Sequence, residues 1–65
     1  MNILFNGKPH VTQATTIAGL VAELCLNPRQ VAVECNGTIV PRSTYADTPL
    51  AEGDVIEALA FVGGG

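Results

Sequence analysis

Residues 15–28 read TTIAGLVAELCLNP, and the period of this stretch decides the fold. Ile17, Leu20, Val21 and Leu24 recur at i, i+3, i+4 and i+7, which is one apolar face of a helix. Thr16 stands just before the first apolar residue, where a hydroxyl caps the unpaired N–H groups of a helix start. The glutamate of a capping box is absent, because Gly19 occupies that third position. Glycine there costs up to about 1 kcal/mol against alanine in a helix interior, so its presence predicts that something packs close. Asn27-Pro28 predicts the helix end, since a residue before proline disfavours the α region.

On both sides of this helix the period falls to two. Upstream, MNILF (1–5) puts Met1, Ile3 and Phe5 on one face and Leu4 on the other. Asn6-Gly7 is a hairpin signal, because both residues tolerate positive φ. The predicted return strand runs from Pro9 to Ala14, with Val11 as its core residue. Downstream, VAVECNG (31–37) turns Val31, Val33 and Cys35 inward and Glu34 outward. Asn36-Gly37 repeats the turn signal before a short strand around Ile39-Val40, which Pro41 confines to an edge or an end. Residues 42–54 form a polar connection anchored by Tyr45 and Leu50, and Gly53-Asp54 turns the chain into a last strand, VIEALAFV (55–62). On that strand Ile56, Ala58 and Ala60 share one face, and Val55, Glu57, Leu59 and Phe61 the other. The order is hairpin, helix, then further strands. It predicts an α+β domain in which one mixed sheet of four to five strands wraps one helix, with the last strand beside the first.

The chain has 65 residues, 48% of them hydrophobic, and a formal charge of −3. That length suits one domain over 1–65, with residues 1–62 as folded body and 63–65 as a flexible glycine tail. The acidic balance suits neither a nucleic acid nor an anionic membrane surface, and points to a basic partner. No apolar run approaches the roughly 20 residues of a membrane span, and the N-terminus lacks the pattern of a signal peptide. A cytoplasmic setting is expected. Cys25 and Cys35 are not in a C-x-x-C pair and read as small packing residues. With His10 as the one histidine, no metal site is expected. No catalytic residue is expected either. His10 reads as an exposed loop residue, and Asp47, Glu52, Asp54 and Glu57 read as solvated carboxylates.

The remaining feature of unusual chemistry is the tail, where three of the seven glycines follow an apolar strand without a spacer. A main-chain carboxylate is an anion at pH 7 and a usable oxygen nucleophile. Glycines carrying it let another protein's backbone approach closely, over a reach of about 10 Å. Leu59 and Phe61 share the outward face with Glu57. With Leu4 beside them they would form an exposed apolar docking patch next to the tail.

The element order, with TIAGLV (16–21) opening the helix and Gly64-Gly65 at the end, resembles ubiquitin-like β-grasp proteins. Residues 31–65 and the opening MNILFNGKP are similar to the ThiS family, the sulfur carriers of thiazole synthesis for thiamine. The most specific segments are Asn36 to Arg42 (NGTIVPR), Leu50 to Asp54 (LAEGD) and Gly64-Gly65. Cys35 and the third glycine, Gly63, depart from the family pattern in minor ways.

The resemblance implies a carrier rather than an enzyme. Gly65 would be the sulfur attachment site, adenylated and then converted to a thiocarboxylate, with Gly63 and Gly64 threading the partner's active site. A ubiquitin-activating-type adenylyltransferase would supply the activation, using ATP and magnesium that this chain does not itself bind. A cysteine desulfurase or comparable donor would supply sulfur, and thiazole synthase would receive it. Near alternatives are the small subunit of molybdopterin synthase and other thiocarboxylate carriers. Alternatives of another class are a β-grasp module that only binds partners and a modifier attached to lysines.

Overall fold

Two Asn-Gly turns set the sheet. Asn6 and Gly7 have φ of 51° and 81°, and Asn36 and Gly37 have φ of 52° and 85°. Positive φ at both central residues is the type I′ pattern, whose twist matches that of the strands it joins. In the computed structural model, which describes residues 1–61, the first turn joins β1 (Asn2–Phe5) to β2 (Lys8–Val11). The second joins β3 (Val31–Cys35) to β4 (Thr38–Ile39). The last strand, β5 (Val55–Ala60), lies between the two hairpins, in the order β2-β1-β5-β3-β4. It pairs parallel with β1 and antiparallel with β3. The sheet is mixed and has five strands, as the element order predicts.

The helix α1 (Ile17–Glu23) packs on one face of this sheet. Ile17, Leu20 and Val21 are buried and meet Ile3, Val31, Val33 and Ile56 from the strands. Each such aliphatic side chain contributes about 1.5–3 kcal/mol on full burial. Tyr45 and Leu50, the predicted anchors of the long connection, are buried in the same core. Much of that connection is a 3-10 helix, Arg42–Asp47, which brings Tyr45 Oη to 3.4 Å from the Val31 carbonyl. At the helix start Thr16 Oγ1 accepts from Gly19 N at 3.1 Å, and Ile17 N donates to Thr48 O at 2.9 Å. A Cβ on Gly19 would stand 3.3 Å from Ala14 Cβ. That is the close approach the glycine predicts.

Three expectations are corrected. Val11 is not in the core; it is 69% exposed. The two-residue turn pairs Phe5 with Lys8, and therefore Ile3 with His10 and Asn2 with Val11. Since Ile3 faces the core, Val11 must face out. The inward positions of this arm are His10, half-buried, and Thr12, 1% exposed. His10 is accordingly a strand residue rather than a loop residue, with Nε2 3.4 Å from Glu23 Oε1. The helix also stops at Glu23, before Asn27-Pro28 is reached. Cys25 adopts φ 57°, Cys25 N donates to Ala22 O, and Leu26 N donates to Val21 O. This is a Schellman closure, in which a left-handed residue folds the chain back over the last turn and satisfies its carbonyls. Asn27 caps a separate 3-10 turn, Pro28–Gln30.

Candidate functional site

The predicted tail grows from β5, so the site begins with how that strand is held. Its odd-numbered backbone groups bond to β3, from Asn36 N to Val55 O at 2.8 Å up to Phe61 N to Gln30 O at 2.7 Å. Its even-numbered groups face β1, where Leu4 N donates to Asp54 O and Asn6 N to Ile56 O, each at 2.9 Å. There β1 ends, and the Asn6 side chain takes over. Oδ1 accepts from Ala58 N at 2.8 Å and Nδ2 donates to Ala58 O at 3.2 Å. A side-chain amide has the donor and acceptor of a peptide group, so Asn6 adds one more rung after its own turn.

Asn36 holds the other end of β5 with one bond to the strand backbone and one to a carboxylate. Its Oδ1 accepts from Val55 N at 2.9 Å, and its Nδ2 donates to Asp54 Oδ1 at 3.0 Å. Asp54 Oδ2 in turn accepts from Ala51 N at 2.8 Å. Glu52 accepts from Asn2 N at 2.9 Å, and this bond holds its carboxyl below the usual range. Asp54 and Glu52 therefore close the 51–54 turn onto the sheet, beyond the solvated role expected of them. Neither asparagine clamp was predicted. Both residues were read only as turn formers, and the signal that could have found them is the register counted out from each Asn-Gly pair.

Leu59 and Phe61 lie on the outward face as expected, 66% and 52% exposed. Leu4 is also outward and 40% exposed, but it pairs with Val55. Four residues of strand, roughly 13 Å, separate Val55 from Leu59. The predicted patch is thus two patches. Leu4 and Val55 form one, with Pro9 opposite Leu4 across the hairpin. The other lies at the far end of β5, where Leu59 pairs with Ala32. Ile39 on β4, 68% exposed, adds an apolar surface that the sequence reading left out. Gly63, Gly64 and Gly65 lie outside the described residues.

The Cys35 thiol is not set up for chemistry by its surroundings. Burial, and then the nearby Asp54 carboxylate, push the Cys35 thiol up, away from the reactive thiolate. Cys25 is exposed at the helix end. Among the described residues no three His, Cys, Asp or Glu side chains cluster as metal ligands. No described helix is long and apolar enough to cross a membrane.

Comparison with known proteins bears on the fold and the family together. The crystal structure of the thiamine biosynthesis protein ThiS from Geobacter metallireducens superposes with a TM-score of 0.85 at 33% identity, each chain covered over its full length. The sulfur carrier protein ThiS of Bacillus subtilis is 42% identical over 50 residues, which are 77% of this chain and 76% of that protein. The thiazole synthase of Magnetococcus marinus is 47% identical over 66 residues, covering 100% of this chain. This chain spans only 20% of that synthase, and of a second from Paramagnetospirillum magneticum. The model of the ThiS family matches residues 3–65, and with that match over nearly its whole length the chain belongs to the ThiS family.

Proposed function

We propose that this chain is a sulfur carrier for thiazole synthesis in thiamine formation, loaded at the carboxylate of Gly65. The carboxylate oxygen attacks the α-phosphorus of ATP in the active site of an activating adenylyltransferase and expels pyrophosphate. The outer sulfur of a persulfide, drawn from a cysteine desulfurase or comparable donor, then displaces AMP from the acyl carbon, and a thiol reduces the acyl disulfide so formed, leaving a thiocarboxylate on the carrier and a disulfide on the donor side. The resulting thiocarboxylate gives its sulfur to thiazole synthase, and the carrier returns as carboxylate. ATP and magnesium belong to the activating partner. A carboxylate is a poor acyl donor because its oxygen leaves badly, and adenylation supplies the leaving group.

The observation that carries this reading is the extent of the family match, which runs from the folded body through all three terminal glycines. Support for the acceptor comes from the two thiazole synthases that contain a region similar to the whole of this chain. Gly63 and Gly64 let the end enter a narrow channel, since a Cβ at either would crowd the partner's backbone. Deleting Gly65, or adding one residue after it, should abolish ATP–pyrophosphate exchange by the activating partner while leaving the thermal midpoint unchanged. Retained exchange by the extended protein would contradict the proposal.

A further inference from the structure

The outward face of the sheet carries a charge arrangement that the fold does not need. Glu34 on β3 and Glu57 on β5 are direct register partners. They occupy a hydrogen-bonded position of the ladder, between the bonded pairs Asn36–Val55 and Gln30–Phe61. Cβ atoms at such a position stand about 5 Å apart. Like charges directly opposite repel, and among the described residues no cationic group pairs with either carboxylate. The one ion pair among the described residues is His10–Glu23, and no described group donates a hydrogen bond to the side-chain carboxylate of Glu34 or of Glu57.

The surroundings of the pair are open and, apart from Asn6, apolar. Glu34 and Glu57 line a shallow depression of about 630 Å³ together with Ala32, Ile39, Ala58 and Leu59. Ile39 and Leu59 flank it at 68% and 66% exposure, and Phe61 lies one step further along β5. A second copy of this chain is a poor occupant, because apposing the two faces would gather four carboxylates. The complementary occupant is a partner that brings a cation within an apolar contact.

We propose that Glu34 and Glu57 together receive one cationic side chain, a guanidinium or an ammonium, from the thiazole synthase, and that apolar groups around that cation pack on Ile39 and Leu59. This rests on the carrier reading above and names the chemistry of its docking face. The occupant follows from the charge of the pair and from the two synthases that hold a similar region within their own chain. Within a single chain such a contact would be intramolecular and would need little affinity of its own. Between two chains it must supply its own encounter and orientation, which opposite charges across an interface mainly do.

The test titrates the thiazole synthase of the same organism with this chain by calorimetry, at low and at raised salt. Sulfur transfer from thiocarboxylate-loaded carrier is assayed in parallel. The variants are the double substitution Glu34→Gln with Glu57→Gln, and Leu59→Ala. Removing both charges should weaken binding about tenfold at low salt and flatten its salt dependence. The same change should raise the thermal midpoint, because the repulsion is gone. A merely structural role would not move binding and stability in opposite directions. Leu59→Ala should weaken binding and leave the salt dependence as it was. If the double variant binds as the wild type does, with the same salt dependence, the paired-carboxylate site is overturned and the carrier reading stands. If the wild type neither binds the synthase nor transfers sulfur to it, both are overturned.

Discussion

Cys25 holds a backbone conformation that glycine holds with less strain. Its φ of 57° closes the Schellman turn after α1, and a Cβ in the left-handed region costs about 1–2 kcal/mol. The side chain is exposed, so it offers little packing in return. Cys25→Gly should therefore raise stability by about 1 kcal/mol once the entropy that glycine adds to the unfolded chain is taken off. For a domain of this size that is a rise of about 4–8 °C in thermal midpoint, read by calorimetry or circular dichroism; a fall would mean that the turn does not depend on the left-handed residue. This feature was not legible in the sequence, because cysteine carries no turn signal and the proline three residues on carries a strong one. By contrast the positive φ of Asn6 and Asn36 was legible, since an Asn-Gly pair has a steric reason to adopt it.

Between elements, the sequence was readable wherever a turn of known length fixed the register. The faces of β3 and β5 came out as expected because each alternates cleanly outward from its turn. The arm after Asn6-Gly7 did not, because Val11 is apolar and was given the core by composition, while the turn length gives that position to solvent. Thr12 takes the buried place instead, and it does so through a partner no local pattern reveals. Its Oγ1 donates to Glu23 Oε1 at 2.6 Å, and Gln13 N donates to Glu23 Oε2 at 3.0 Å. These bonds fasten the end of the hairpin to the last turn of α1 and hold the Glu23 carboxyl below its ordinary value of 4.5. A carboxyl depressed in the folded state stabilises it above the unfolded pKa, and that stability is lost as pH falls through the folded value. Denaturation midpoints should accordingly fall below about pH 4.5, and Glu23→Gln should be less stable at neutral pH with a flatter acid limb. An acid limb unchanged by Glu23→Gln would show that this carboxylate does not join the two elements.

For the whole molecule, topology and charge were the most legible properties and the partners the least. A hairpin, a helix and a second hairpin leave the last strand one central place, beside β1 and β3, and there both asparagine clamps hold it. The outward face could have been counted from the Asn36-Gly37 turn, which sets Glu34 opposite Ile39 and so fixes the row across the sheet. What no count of residues could place was Leu4, whose distance from Leu59 depends on β1 ending where Asn6 begins to turn. On this account the folded body holds and presents a carboxylate that other proteins load and unload. The most direct measurement of that claim is the intact mass of the chain after incubation with its activating partner, ATP and a sulfur source. A species heavier by the difference between sulfur and oxygen, mapped to Gly65 and lost on addition of thiazole synthase with its substrates, is the predicted result. An unchanged mass under conditions in which the partner consumes ATP, or a native chain trimmed before or extended past Gly65, would contradict the account.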